Sequence, residues 1–162
     1  MKNAGKITVL ALLAALAMVL SYLESLLPGV GIPGVKLGLA NIAVMIALYR
    51  LGFWESAAVS LVRVVTVSVL FGSIPALIYS LAGAVLSLSV MAAMKKSGAF
   101  NAPGVSVAGG AAHNMGQILA AMAILNTRSV IWYLPVLLLS GTVSGVLIGL
   151  TAALLIHRLE KL

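Results

Sequence analysis

The fold is decided by residues 56–70, which read SAAVSLVRVVTVSVL. This run is apolar enough to lie in a lipid bilayer, yet it carries Arg63 near its centre. An arginine at the middle of a membrane-spanning helix costs about 2.5–3.5 kcal/mol on insertion scales, and such residues face a bundle interior, a water-filled cavity or an opposite charge. We therefore expect a helical membrane protein in which Arg63 faces a functional site.

The composition of the whole chain agrees with this interpretation. Of its 162 residues 62% are hydrophobic and 8% are charged, and the mean hydropathy is +1.20. Such values are typical of an integral membrane protein. The chain has no cysteine, which excludes disulfides, thiol nucleophiles and cysteine-ligated metal sites. We expect a single membrane domain over residues 1–162 that uses no cofactor.

Hydropathy predicts six membrane-spanning helices in one bundle. Most of the segments approach the roughly 20 residues that a bilayer requires, but the second has only 13 residues and could be re-entrant. We favour a short span, because Arg50 at its end can reach the interface. The predicted spans are Ile7–Leu27, Leu37–Tyr49, Trp54–Leu70, Ile74–Met94, Ala108–Leu125 and Leu134–Ile156.

The positive charges predict how these spans are oriented. If both termini share one side of the membrane, seven Lys and Arg residues lie on that side and two on the other, with Arg63 inside the membrane. The positive-inside rule then places both termini in the cytoplasm. The net charge of +7 is thus a topology signal. We expect no nucleic-acid partner, because the cations are scattered over short loops.

Few strongly polar residues accompany Arg63, and the predicted topology brings them together. We predict an outward-facing cavity, covered by the segment Pro28–Lys36, that binds a small anionic solute. Arg63 and Lys36 would bind the anionic group, and polar side chains of spans 2 and 5 would supply hydrogen bonds. The predicted site consists of Glu24, Lys36, Asn41, Arg63, His113, Asn114 and Gln117.

Several of these residues also have a structural interpretation. Arg63 can be a structural cation paired with Glu24, the one acidic residue expected in the outer half of the bundle. His113, Asn114 and Gln117 can hydrogen-bond neighbouring helices, as polar residues commonly do in membrane bundles. The grouping of all these residues on one side of the membrane favours the binding role.

Small residues form two stripes that allow close helix approach in lipid. One stripe lies in span 1, at Ala11 and Ala15, and the other in span 6, at Gly141, Gly145 and Gly149. We expect the span 6 stripe to pack within the bundle. The span 1 stripe is a candidate contact for a partner protein.

Five strings of sequence, distributed along nearly the whole chain, carry a resemblance to a known family. They are PGVKLGLANI from Pro33, LVRV from Leu61, YSLAGAVLS from Tyr79, GVSVAGGAAHNMGQ from Gly104 and YLPVLLLSG from Tyr133. They resemble the bacterial family labelled both Gx transporter and heptaprenyl diphosphate synthase component I, which is itself similar to the substrate-binding S components of energy-coupling factor (ECF) transporters.

The resemblance implies a six-helix protein of the bacterial plasma membrane with an outward-facing site. In ECF transporters the loop between helices 1 and 2 caps this site, and a small-residue stripe on helix 1 docks the transmembrane T subunit, which works with separate ATPases. Ala11 and Ala15 match that stripe. The resemblance therefore implies a T subunit and ATPases as partners.

The two family labels imply different classes of protein, and the residues favour a transporter. Prenyl diphosphate synthases hold diphosphates through magnesium bound by clustered Asp carboxylates. This chain has no Asp, its three Glu residues are dispersed, and it has no GxxxxGK[ST] loop for ATP. We predict a non-enzymatic S-component-like subunit. The alternative is a non-catalytic membrane subunit of a polyprenyl diphosphate or quinone pathway, or of a membrane redox assembly.

Overall fold

The computed structural model describes residues 3–26, 37–159 and 161 of the chain. All regular structure within these residues is helical, which confirms the predicted all-α membrane bundle. The helices are α1 (Asn3–Leu26), α2 (Asn41–Arg50), α3 (Phe53–Phe71), α4 (Ile74–Ser97), α5 (Ala102–Leu125) and α6 (Leu134–Leu159), with a 3-10 helix (Ser129–Tyr133) before α6.

Four segments among the described residues are long and apolar enough to span a membrane. They are Ala4–Leu26, Phe53–Phe71, Ile74–Ser97 and Ser129–Leu159. α5 has 24 residues, as many as α4, but is not among these four segments, and α2 has only 10 residues. The crossing of the membrane by α2 and α5 remains a prediction.

α2 lies in the core of the bundle. All residues from Ile42 to Leu48 are buried, and α1, α3 and α6 pack around the helix. Ten residues make a helix about 15 Å long, half of a hydrocarbon core of about 30 Å. The structure thus differs from the predicted span Leu37–Tyr49. The helix begins only at Asn41, because Gly38 has a φ of +72° and turns the chain before it.

α5 begins at Ala102, earlier than the predicted Ala108. The reason is its capping residue, Asn101, whose side-chain oxygen accepts a hydrogen bond from Gly104 N at 2.9 Å. Pro103 occupies the first turn, where a missing N–H is tolerated. These signals extend the helix beyond the apolar run that hydropathy detects.

Glycines set the distance of α5 from its two neighbours, α4 and α6. A Cβ at Gly116 would lie 2.7 Å from Ala82 O of α4, and a Cβ at Gly110 would lie 2.5 Å from Gly141 O of α6. Neither position has room for a side chain. All three glycines of the span 6 stripe face α5, which confirms that this stripe packs within the bundle.

The other small-residue stripe faces away from the bundle. Ala11 and Ala15 are exposed, whereas Leu13 and Ala17 on the opposite side of α1 are buried. The stripe is therefore accessible to a neighbouring helix. Its role as a partner contact remains a prediction.

Lys95 joins the end of α4 to the end of α2. Its ammonium donates a hydrogen bond to Leu48 O at 2.6 Å and lies 5.0 Å from the centroid of the Tyr49 ring. Carbonyl groups in the last turn of a helix lack partners within the helix, and a cation near an aromatic face is attracted to it. Lys95 therefore binds the end of α2 in two ways, through the carbonyl of Leu48 and through the ring of Tyr49.

Candidate functional site

A polar cavity of about 70 Å³ lies among α1, α2, α3, α5 and α6. Six of the seven residues that the sequence analysis selected line it, and they come from four different helices. The seventh, Lys36, lies outside the described residues, as does the whole of the segment Pro28–Lys36 that we predicted to cover the cavity. The lining residues are Glu24, Leu37, Gly38, Asn41, Arg63, Ser106, Gly110, His113, Asn114, Gln117, Gly141, Ser144 and Gly145.

Arg63 lines the cavity from the middle of α3. Its Nε is buried and makes no hydrogen bond to any described residue. A buried donor without an acceptor costs about 1–3 kcal/mol, more when the group is charged. The guanidinium carries five N–H donors in a planar fork that matches a carboxylate or phosphate. Arg63 can therefore supply donors to an acceptor in the cavity.

The Glu24 carboxylate is bound by the turn before α2. Its Oε1 accepts a hydrogen bond from Gly38 N at 2.6 Å, and its Oε2 accepts one from Leu39 N at 3.1 Å. A carboxylate is favourable at this end of a helix, because the helix dipole is positive there. Glu24 thus joins the end of α1 to the start of α2.

The Arg63–Glu24 ion pair that we raised as a structural alternative is not a direct contact. No carboxylate oxygen of the described residues lies within 4 Å of the Arg63 guanidinium. Glu24 acts on Arg63 electrostatically, at longer range. The two oxygens of Glu24 accept hydrogen bonds from backbone N–H groups instead. The cavity therefore holds two separated charges of opposite sign.

One face of α5 forms a polar wall of the cavity. Ser106, Gly110, His113 and Gln117 follow one another at i, i+4, i+7 and i+11, a spacing that puts them on the same side of a helix. The His113 ring rests against α4 at Gly83, where a Cβ would lie 2.9 Å from both Nδ1 and Cε1. Gly83 thus provides the space that holds the imidazole at the wall.

Asn114 has a structural contact as well as a place in the cavity wall. Its Nδ2 donates a hydrogen bond to Leu137 O of α6, and the residue is buried. Ser140 Oγ donates to the same carbonyl at 3.2 Å. The structural alternative, a hydrogen bond between neighbouring helices, therefore holds for Asn114. Its role in binding a solute remains a prediction.

The lining residues that are small or that precede α2 were not predicted from the sequence. Small residues in a membrane helix indicate close packing as readily as they indicate a cavity wall, so the glycine stripe of α6 was interpreted as packing alone. Ser144, which lies within that stripe, is the residue whose polarity could have indicated a cavity wall. The missed residues are Leu37, Gly38, Ser106, Gly110, Gly141, Ser144 and Gly145.

The fold and the site together define a class: a helical integral membrane protein with a polar, charged cavity between its helices. Within this class the chain belongs to the family described as heptaprenyl diphosphate synthase component I, which matches residues 13–155. The match confirms the family resemblance found in the sequence. Comparisons with curated proteins and with solved structures gave no match. The family description implies a component of a larger assembly.

Proposed function

We propose that this chain is the substrate-binding membrane subunit of an ECF-type transporter in the bacterial plasma membrane. It binds a small solute with an anionic group in a cavity open to the outside, and a T subunit with ATPases drives transport. One observation carries the proposal: Arg63 and seven other polar residues, from five helices, line the same cavity. Polar and ionisable groups inside a membrane are costly, so such a grouping indicates a binding function.

The size and lining of the cavity support a small polar solute. Its volume of about 70 Å³ is small beside the roughly 300–1,000 Å³ of pockets for drug-sized ligands. The described lining includes one large aliphatic side chain, Leu37, and no Phe, Tyr or Trp. It therefore offers few apolar contacts to an isoprenoid chain, and no Phe, Tyr or Trp on which a flat ring could stack. Arg63 provides the donors for an anionic group.

The family description supports a second candidate function. A component of heptaprenyl diphosphate synthase could be a non-catalytic membrane subunit that receives a prenyl diphosphate. Only the head group of such a lipid would fit the cavity, and its chain would lie among the helices or in the bilayer. The polar lining favours the transporter over this candidate.

Arg63 variants test the binding proposal. We expect wild-type protein, purified from native membranes in mild detergent, to carry a small solute that mass spectrometry detects after extraction. Arg63→Ala should lose this solute. Arg63→Lys should bind it about tenfold or more weakly, because lysine keeps the charge but lacks the planar fork. Arg128→Ala, which removes an exposed arginine outside the cavity, should retain the solute. Equal solute in wild type and Arg63→Ala would contradict the proposal.

A double variant separates binding from structural charge pairing. If Arg63 were only a partner for Glu24, Arg63→Ala would destabilise the protein and Glu24→Gln would recover much of the loss. We expect no such recovery, because Glu24 binds the backbone of Gly38 and Leu39. Thermal unfolding of the single and double variants in detergent measures the difference. Recovery of stability with unchanged solute content would support the purely structural role.

Co-purification tests the partner. We expect the wild type to co-purify with a T subunit and its ATPases. Replacing both Ala11 and Ala15 by leucine should abolish the association, because the larger side chains block close helix approach. Ala93→Leu makes the same change at another exposed position, on α4, and should leave the association intact. Co-purification with a soluble prenyltransferase alone, whose turnover then rises, would support the second candidate instead.

A further inference from the structure

We propose that the solute is a small aliphatic zwitterion, with an anionic group that binds Arg63 and a cationic group that faces Glu24. Amino acids and betaines belong to this chemical class. The inference rests on the proposed function, since it takes the cavity as a binding site. Arg63 alone indicates that the solute carries an anionic group; the inference adds the chemical class of the whole solute.

The first observation is that the described lining contains one cation and one anion. Arg63 and Glu24 are the charged residues among the described residues that line the cavity, so their formal charges cancel. A solute with an anionic group alone would neutralise Arg63 and leave the carboxylate of Glu24 with two backbone N–H groups but no cation beside it among the described residues. A cation near this carboxylate would be attracted to it more strongly here than in water. A zwitterion compensates both charges.

The second observation is that the two charges are kept apart. Glu24 accepts hydrogen bonds from Gly38 N at 2.6 Å and from Leu39 N at 3.1 Å. Its carboxylate oxygens lie beyond ion-pair distance from the Arg63 guanidinium. An ionised carboxylate has about four acceptor positions, so two backbone donors leave it able to accept further hydrogen bonds. Arg63 Nε is buried without a hydrogen bond to any described residue. Both charges can therefore act on a solute.

The third observation concerns the other residues that line the cavity. Asn41 and Gln117 add amide groups, and Ser106 adds a hydroxyl. The described lining has no Phe, Tyr or Trp, and the volume is about 70 Å³. A short molecule with hydrogen-bonding groups fits this lining better than an aromatic one. The charges therefore define a small aliphatic amino acid or betaine as the solute class.

Matched mixtures of probe compounds test this inference on the purified full-length protein. The first mixture contains the protein amino acids and glycine betaine. The second contains the carboxylic acids that lack their cationic groups, and the third contains the amines that lack their carboxylates. A ligand that binds the folded state raises the melting temperature in a concentration-dependent way, which yields an affinity. We expect the first mixture to bind at least about tenfold more tightly than either of the others.

Variants of the two described glutamates sharpen the test. Glu24→Gln keeps an acceptor for the backbone but removes the charge, so it should weaken binding of the first mixture about tenfold or more and strengthen binding of the carboxylic acids. Glu55→Gln is the matched control, because Glu55 pairs with Lys6 and does not line the cavity. It should bind all three mixtures as the wild type does.

Three results would overturn the inference. The first is that the carboxylic acids bind the wild type as tightly as the zwitterions do. The second is that Glu24→Gln binds the zwitterions with the same affinity as the wild type. Failure of all three mixtures to bind the wild type also counts against it. The proposed function is judged separately, by the solute extracted with the protein and by its dependence on Arg63. An extracted solute that is anionic without a cationic group would leave that function standing and refute the zwitterion.

Discussion

Gly110 lies on the cavity wall at a point where α5 and α6 approach closely. A Cβ there would lie 2.5 Å from the backbone oxygen of Gly141, and a backbone atom cannot rotate away as a flexible side chain can. Gly110→Ala should therefore push the two helices apart. Overpacking of this kind costs about 1–3 kcal/mol. We expect a loss of that size in the free energy of unfolding, measured by denaturation in detergent.

Gly5 provides the matched control for this substitution. It lies in α1, and a Cβ at this position would meet nothing within 4 Å. Gly5→Ala should be neutral or stabilise the protein by up to about 1 kcal/mol, because alanine has the higher helix propensity. If Gly110→Ala proved as stable as Gly5→Ala, the close approach of α5 and α6 would be wrong.

Individual residues differ in how well the sequence predicts their place. Arg63 was conspicuous because a charged residue inside an apolar helix is costly and needs a reason. Ser106 and Ser144 were not, because a serine in a helix can bind its own backbone, as Ser89 Oγ does with Val85 O at 2.8 Å. No local pattern distinguishes these two uses of serine. The contacts of Glu24 likewise depend on a turn 14 residues away.

The link between α4 and α2 is a feature of whole elements, and Lys95→Met tests it. The substitution keeps most of the side-chain length but removes the hydrogen bond to Leu48 O and the cation at the Tyr49 ring. A hydrogen bond from a charged group contributes about 1.5–3 kcal/mol when buried, and Lys95 is only partly buried. We expect a loss of about 1–2 kcal/mol in unfolding free energy, measured by denaturation in detergent.

The neighbouring residue supplies the control for this experiment. Lys96 is exposed, so Lys96→Met removes the same charge without removing the contact with α2. Surface substitutions of this kind are usually within about 0.5 kcal/mol of neutral. Similar stability of the two variants would show that Lys95 does not hold α4 to α2.

At the scale of elements, hydropathy predicted the existence and order of the helices but not all of their ends. Apolar runs identify the part of a helix that contacts lipid or other helices. The start of α2 depends on the positive φ of Gly38, and the start of α5 depends on the cap at Asn101. Both signals are single residues within turns, whose conformation is set by the packing around them.

The orientation of the whole molecule in the membrane remains a prediction, and single cysteines can test it because the chain has none of its own. The charge bias predicts that Ser97 lies on the cytoplasmic side and Ser129 on the outer side. Both residues are exposed at helix ends. In intact cells an impermeant maleimide should label Ser129→Cys, and it should label Ser97→Cys only after lysis.

The opposite labelling pattern would show that the orientation in the membrane is the reverse of the predicted one. The predicted cavity opening would then face the cytoplasm. Labelling of both positions in intact cells would contradict an odd number of crossings between them. Ser97 and Ser129 are separated by α5 alone, so the experiment also tests whether this polar helix crosses the membrane.

The position of α5 between α4 and α6 has a consequence for biogenesis. During translation α4 is complete before α5 leaves the ribosome, whereas α6 is still unmade. The glycine contacts of α5 with α4, at Gly83 and Gly116, can therefore form first. They would give a polar segment a protein neighbour as it leaves the translocon, before lipid surrounds it. We expect a defect in this contact to appear as failed insertion and rapid degradation, rather than as an assembled protein with reduced activity.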